Sequence, residues 1–333
     1  MKYIENVLAL QLEISSNCNL KCPGCVRMYN EDLNKIHPLI VKNQYLSVDV
    51  IKDLVDSDAC KNLDYIDFCG SIDDPLMHPK FLDILQYITN AGKKVIVQTN
   101  GSLRAPDYWK QIALILSQHK GSYVKFSIDG LQDTNHLYRR GSNFQKIIDN
   151  ATAYINSGGK AQWQYVVFPW NEHQVEEARQ LSKDLGFASF RYRHDRSDIE
   201  NRLAYKKNNT NWDKLAKEQE VNCYAATEQQ FFITHEGLVW PCCFLHNAQY
   251  LLTDRLQEFK NRFDLNYRPN WNNLYYNKFD DIINHEFYNN DLQESFKSTL
   301  HGTDSCDRII RCTQTCSKKR LNIGNHKIVG NIP

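Results

Sequence analysis

Asn17-Cys18-Asn19-Leu20-Lys21-Cys22-Pro23-Gly24-Cys25 places three thiols in nine residues, at the spacing CxxxCxxC. A cubane four-iron cluster normally takes four thiolates. A loop that offers three binds three irons and leaves the fourth open to nitrogen and oxygen donors of a small molecule. The competing reading, a structural zinc site, needs a fourth Cys or His nearby. The nearest candidates, His37 and Cys60, lack finger-like spacing.

Outward from this loop, residues 7–192 alternate short apolar runs with amphipathic stretches. Strands are expected over 7–14, 65–69, 94–98, 123–128, 161–168 and 187–192. Helices are expected over 48–54, 79–90, 106–118, 144–156 and 172–185. Six strand–helix units with these connections imply a parallel sheet. Right-handed crossovers curl such a sheet toward a barrel or partial barrel, with chemistry at the carboxyl ends of the strands. Beyond residue 193 the rhythm breaks. Residues 195–222 read as a polar connector, and residues 231–234 and 238–241 flank His235-Glu236-Gly237 in a hairpin pattern. Residues 278–289 and 291–300 read as two further helices.

The strand ends carry polar motifs. After strand two stands Cys69-Gly70-Ser71-Ile72-Asp73-Asp74-Pro75, and after strand three Gln98-Thr99-Asn100-Gly101. After strand four stands Ser127-Ile128-Asp129-Gly130, followed by Arg139-Arg140-Gly141. Together with the cysteine loop, this order resembles the radical SAM superfamily. The resemblance implies a [4Fe-4S] cluster on Cys18, Cys22 and Cys25 that binds S-adenosylmethionine (SAM). It further implies that Asp74, or else Asp73, meets the SAM ammonium by a charge-assisted hydrogen bond. Asn100 falls in the family's turn near the nucleoside, Ser127 where a side chain bonds the ribose or the SAM carboxylate, and Asp129 among the cofactor-binding positions. Arg140, with Arg139 as the alternative, falls at the place of the carboxylate-binding arginine, whose fork fits a carboxylate bidentately. The sequence departs from the family at Gly24, where an aromatic residue often packs near adenine; Tyr29 or a later strand residue would take that place. By alternation Tyr65, Asp67 and Cys69 share a face. Cys69 is a candidate hydrogen-atom donor at the chemical end of strand two, the plainer reading being a small buried hydrophobe.

A second group of thiols closes the chain: Cys223, Cys242, Cys243, Cys306, Cys312 and Cys316. With Gly237-Leu238-Val239-Trp240-Pro241-Cys242-Cys243, it resembles the auxiliary-cluster extension called SPASM, or its shorter relative Twitch. Thr303 stands where the full pattern has a cysteine, and no cysteine follows Cys316. The thiol count therefore supports one auxiliary [4Fe-4S] cluster on four of Cys223, Cys242, Cys306, Cys312 and Cys316, with Cys243 spare. A zinc site on the same thiols is the alternative. The fold expected is α/β: a partial (β/α)6 TIM-like barrel over 1–195, a connector over 196–222, and a small Twitch/SPASM-like domain of hairpin and helices over 223–333.

Composition bounds the function classes. The 333 residues suffice for one large domain plus a smaller one. With 40 basic and 39 acidic residues, no global field draws the chain to nucleic acid or membrane. Arg191, Arg193, Arg196, Lys206 and Lys207 are candidates for a local basic groove, the plainer reading being solvated surface charge. Eleven cysteines with no secretion signal or membrane span indicate metal or redox chemistry in a cytoplasmic protein. Strand one begins near Met1, which argues against an N-terminal leader-recognition domain. The resemblance implies reductive cleavage of SAM to a 5′-deoxyadenosyl radical that abstracts hydrogen from a substrate. The electron comes from an external donor such as flavodoxin or ferredoxin. The substrate is a peptide or protein side chain, or alternatively a small metabolite such as a sugar or nucleotide. The non-catalytic alternative is an iron–sulfur or zinc protein that binds a partner or senses redox state.

Overall fold

The computed structural model describes residues 2–29, 32–195, 214, 217–218, 220–251, 267–300, 307–316 and 327–329. It divides into two units. The larger comprises Leu12–Val48, Tyr65–Asp198 and Ile323–Pro333; the smaller comprises Met1–Gln11, Asp49–Asp64 and Ile199–Asn322.

In chain order, β1 (Ala9–Leu12) runs into the cysteine loop. A short antiparallel hairpin of β2 (Met28–Tyr29) and β3 (Asp32–Ile36) follows, then helix α1 (Val48–Val55). The alternating core comes next: β4 (Tyr65–Phe68), α2 (Phe81–Asn90), β5 (Lys94–Thr99), α3 (Pro106–Leu116) and β6 (Tyr123–Ser127). It continues through the single turn α4 (Asn135–Tyr138), α5 (Phe144–Asn156), β7 (Ala161–Val167), α6 (Val175–Asp184) and β8 (Ser189–His194). Strands β4 to β8 pair in sequence order and in parallel. From β4 to β8 the expected alternation of strands and helices is found, with the β2–β3 hairpin and α4 as additions. The last expected strand lies two residues later than the apolar run suggested, because Phe187 is not in the ladder. Its ring instead packs on Trp163 at 5.2 Å and Phe126 at 5.9 Å.

Side-chain alternation gives this sheet two unlike faces. One face carries Val97, Val124, Phe126, Trp163 and Phe190, with Phe126 paired to Trp163 and Trp163 to Phe190. It buries the apolar stripes of the crossover helices. Helix α2 contributes Phe81, Ile84, Leu85 and Ile88, at the i, i+3, i+4, i+7 spacing of one helix face. Trp109 of α3 lies 5.0 Å from the Phe126 ring, and Tyr154 of α5 lies 6.1 Å from it. The opposite face is polar, with Gln98 beside Lys125 and Lys125 beside Gln162. Strand β11 (Lys327–Val329), absent from the sequence expectation, adds antiparallel to β8.

The smaller unit contains the expected hairpin as β9 (Gln230–Ile233) and β10 (Val239–Trp240), with Val239 opposite Ile233. Cys223 precedes the short helix α7 (Tyr224–Thr227), and α8 (Cys243–Leu251) follows β10 directly. The helix expected over 278–289 ends early, as α9 (Phe279–Ile283). A π-helical turn over Phe287–Asp291 then leads into α10 (Leu292–Lys297). The wider turn buries Phe287, Tyr288 and Asp291 together. Asp291 accepts the Tyr267 hydroxyl there, and Phe287 packs on Trp271 at 5.2 Å. Helix α11 (Ile310–Cys316) carries the last two cysteines.

Gly101 sits at φ +73°, and a Cβ there would lie 2.8 Å from the Phe126 ring and 3.0 Å from Ile147. Gly101→Ala therefore combines left-handed strain with overpacking of the helix-side core. We expect a loss of about 2–4 kcal/mol of stability in anaerobic urea unfolding. A loss below roughly 0.5 kcal/mol, the level of an ordinary surface change, contradicts this packing account.

Candidate functional site

The cysteine loop belongs to the larger unit. Two backbone bonds shape it: Cys25 N–H donates to Cys22 O at 3.2 Å, and Met28 N–H to Cys25 O at 2.9 Å. The turn after β5 closes on it. Asn100 Nδ2 donates to Asn19 Oδ1 at 2.9 Å and lies 3.9 Å from Cys18 Sγ. Burial pushes the Cys18 thiol well up, and the Asp74 charge adds to this. Burial pushes Cys22 up to about 11, against the opposing pull of the Arg139 guanidinium. Thiols in this state release protons when a metal takes them as thiolates.

Among the described residues, no three Cys, His, Asp or Glu side chains converge on a single ion. A cube takes one thiolate per iron, so three thiols on one loop supply three of its four ligands.

Behind the loop stands Asp129, fully buried at the end of β6. Its Oδ2 accepts Arg139 Nε at 2.6 Å, and its Oδ1 accepts Val166 N–H at 2.6 Å. Arg139 in turn brings Nη1 to 3.9 Å from Cys22 Sγ. Arg140, the arginine the motif order favoured, is exposed and turns back to Leu137 O. Only its main chain joins the site, accepting Lys21 N–H at 3.0 Å. The physical reason is the buried carboxylate: Asp129 must be paired, and it captures the neighbouring side chain at this turn. Asp129 is thereby committed to Arg139 and to strand β7. Ser127, at the end of β6, lies half-buried on the polar sheet face beside Gln164.

The two acids after β4 have different surroundings. Asp74 is fully buried and accepts Thr99 Oγ1 at 2.8 Å, Asn100 N–H at 2.9 Å and Leu76 N–H at 3.1 Å. Burial raises its pKa, and these donors pull it back. Asp73 accepts Ser15 N–H at 3.1 Å through Oδ2, while its buried Oδ1 has no hydrogen-bond partner. Burial raises Asp73 well above the usual carboxylate range, and the charges of Glu13 and Asp74 add to this. Cys69 is half-buried beyond β4, 3.9 Å from Ser71 Oγ. Tyr29 packs edge-on against His37 rather than over the loop. The Arg139 guanidinium lies 5.3 Å from the Tyr138 ring; at the end of β7, Phe168 meets Tyr138 at 4.5 Å, tilted, and stacks on Trp170 at 4.6 Å.

In the smaller unit, one cavity is lined by Cys223, Cys242, Cys312 and Cys316, with Phe244 and Leu245. Cys312 and Cys316 are four apart on α11, so they share a helix face. Cys306 lies outside the described residues, as do Arg196, Lys206, Lys207 and most of the expected connector. Cys243 begins α8 and is not among the cavity's lining residues. Burial pushes Cys242 well up, and the neighbouring thiols add to this. Four thiols around one cavity suit a cluster's donor set. One contact had no sequence signal: the buried Tyr3 hydroxyl lies 3.1 Å from Cys223 Sγ, 220 residues away. No described helix is long and apolar enough to cross a membrane.

Comparison with known proteins agrees with this geometry. A family model described as the radical SAM superfamily matches residues 12–182, and one described as an iron–sulfur cluster-binding domain, SPASM, matches residues 223–326. The chain is 31% identical over 133 residues to the tungsten-containing aldehyde ferredoxin oxidoreductase cofactor-modifying protein of Pyrococcus furiosus, covering 40% of this chain and 33% of that one. It is 23% identical over 229 residues to the AdoMet-dependent heme synthase of Methanosarcina barkeri, covering 66% and 62%. The chain thus spans less than two thirds of either relative. Streptococcus suis SuiB bound to S-adenosylmethionine shares the fold at TM-score 0.59 and 15% identity, over 89% of this chain and 69% of that one. The protein anSMEcpe with bound AdoMet and Cp18Cys peptide does so at TM-score 0.54 and 16% identity, over 93% and 88%.

The raised Asp73 carboxyl has a measurable consequence. An acid whose folded pKa is raised binds its proton more tightly in the folded chain. Folding stability is therefore lost as pH climbs from the unfolded value of about 3.9 through the folded one. Asp73→Asn removes that loss. We expect its stability relative to wild type to increase steadily between about pH 4 and pH 8 in anaerobic thermal unfolding. A pH-independent difference contradicts the assignment.

Proposed function

Because the chain belongs to the radical SAM superfamily and carries a SPASM cluster-binding domain, we propose that it cleaves SAM reductively to abstract hydrogen from a peptide or protein substrate. The cofactors of these domains are a SAM-binding [4Fe-4S] cluster, auxiliary iron–sulfur chemistry and SAM itself. When bound, they supply the one-electron cleavage and the hydrogen abstraction. The chain's own residues bind and orient. Cys18, Cys22 and Cys25 each hold one iron. Arg139 takes the SAM carboxylate, since its Nη1 already reaches toward Cys22 while Nε is locked by Asp129. The observation that carries this reading is that guanidinium, 19% exposed and anchored by a fully buried acid beside the three-thiol loop.

Asp74 has about four lone-pair sites as a carboxylate. Protein donors occupy three of them, two on Oδ2 and one on Oδ1, leaving a site on Oδ1 for the ammonium. Asn100 fixes the loop through Asn19. The second site holds one auxiliary cluster on Cys223, Cys242, Cys312 and Cys316, with the Tyr3 hydroxyl bonded to the Cys223 sulfur. An external carrier such as flavodoxin or ferredoxin supplies the electron, and the chain acts in the cytoplasm.

The peptide substrate is favoured by two solved proteins of this fold, SuiB with precursor peptide SuiA and anSMEcpe with Cp18Cys peptide. A small-molecule substrate is the second reading. The cofactor-modifying and heme-synthase relatives by sequence favour it.

Anaerobic reconstitution is expected to load about eight irons per chain, and dithionite with SAM to release 5′-deoxyadenosine. Replacing Cys18, Cys22 and Cys25 together by Ala is expected to halve the iron and abolish that product. Arg139→Gln is expected to weaken SAM binding about tenfold or more, and Arg140→Gln to leave it unchanged. 5′-Deoxyadenosine from the triple variant, or wild-type SAM affinity in Arg139→Gln, would refute these assignments.

A further inference from the structure

The polar face of the larger unit's sheet has no partner in the mechanism above. Strand register lays its residues out in rows. Gln98, Lys125, Gln162 and Ser189 are consecutive neighbours across β5, β6, β7 and β8. The next row is Ser127, Gln164 and Arg191, and beyond it Arg193 stands beside Val166. Asp67 of β4 joins the first row, accepting Gln98 Nε2 at 2.9 Å and pairing with Lys125 Nζ at 3.1 Å. A sheet face that met only apolar helices would not be built from Lys, Arg, Gln and Ser, because burying such groups unpaired costs free energy.

The charges on this face do not cancel. Lys125 is neutralised by Asp67, and both are largely buried, at 13% and 9% side-chain exposure. Gln162 is satisfied by Ser189, to which its Nε2 donates at 2.8 Å. Arg191 is different. Its side chain forms no hydrogen bond or ion pair among the described residues, and its Nε is buried without an acceptor. Buried guanidinium N–H groups without acceptors are rare and costly. Gln164 flanks it, with one long contact of 3.5 Å to Gln162. A planar fork with an unused N–H, beside an under-used amide, matches an oxyanion.

We propose that Arg191, flanked by Gln164 on this face, receives an oxyanion of the substrate, a carboxylate or a phosphate. The proposal rests on the superfamily reading for what happens to the substrate, but the anion site stands on the sheet geometry alone. Lys125, Asp67 and Gln98 form the neutral polar floor beside it. A peptide would present the oxyanion as an Asp or Glu side chain or a C-terminus, and a metabolite as a phosphate or carboxylate.

The test is anaerobic calorimetry on the cluster-loaded full chain, with acetate and inorganic phosphate as separate probes. At least one is expected to bind saturably, and which one binds tells the carboxylate source from the phosphate source. Arg191→Gln is expected to weaken that binding about tenfold or more, Arg191→Lys to weaken it less, and the surface change Arg140→Gln not at all. Should Arg191→Gln fail to fold, Arg191→Lys and Gln164→Leu serve in its place, each expected to weaken the same anion. Saturable binding of neither anion, or anion binding indifferent to every change at Arg191 and Gln164, overturns the inference. SAM binding is measured on the same wild-type preparation. Anion binding without SAM binding keeps this site and sinks the superfamily mechanism; SAM binding without anion binding does the reverse.

Discussion

A single buried acid organises the end of the parallel sheet. Asp129 has no access to solvent, and each of its oxygens is taken. One holds β7 through Val166 N–H; the other holds Arg139, which reaches the cysteine loop. Asn171 Nδ2 closes the arrangement by donating to Asp129 O at 2.9 Å. A buried pair of this kind is no strong source of net stability, but removing one partner leaves an uncompensated charge, at a cost of about 3–5 kcal/mol. The geometry is therefore held by a penalty for change. That suits a site whose task is to keep a guanidinium at one place beside a sulfur.

Around that pair, the sheet separates two jobs by the period of a strand. The helix side is an aromatic core of Trp109, Phe126, Tyr154 and Trp163, all fully buried. Phe126 alone contributes about 1.5–3 kcal/mol by leaving water. The other side is polar and only partly covered, with Lys125, Gln98, Gln164 and Arg191 of intermediate exposure. The apolar side supplies the rigidity on which the polar side depends. Motion of β6 or β7 would shift Asp129 and its loop contacts together.

The two thiol sites are built on opposite principles. Cys18, Cys22 and Cys25 come from one loop, so their proximity is local and costs little chain entropy. Cys223, Cys242, Cys312 and Cys316 come from three separate segments, and their meeting requires the smaller unit to have folded. Burial holds thiols of both sites in the protonated state until a metal displaces the protons. At the second site, loading of the metal and consolidation of the fold are thus coupled.

The sequence by itself determined the alternation of strands and helices, the parallel order, the hairpin and the three-thiol loop. Each of these is written in nearest-neighbour spacing: period two in β5, period 3.6 in α2, nine residues around Cys22. It also placed Asp74, Asn100 and Asp129 at strand ends, where they are found. Only the tertiary structure decided which of two adjacent arginines faces the loop, because that choice belongs to a buried carboxylate ten residues away. Likewise it decided that Asp74 is held by protein donors while Asp73 Oδ1 has no partner among the described residues, that Tyr3 meets Cys223, and that Arg191 Nε has no acceptor among them. Those outcomes depend on which groups burial brings together and which it leaves over. Spacing along the chain carries no record of that.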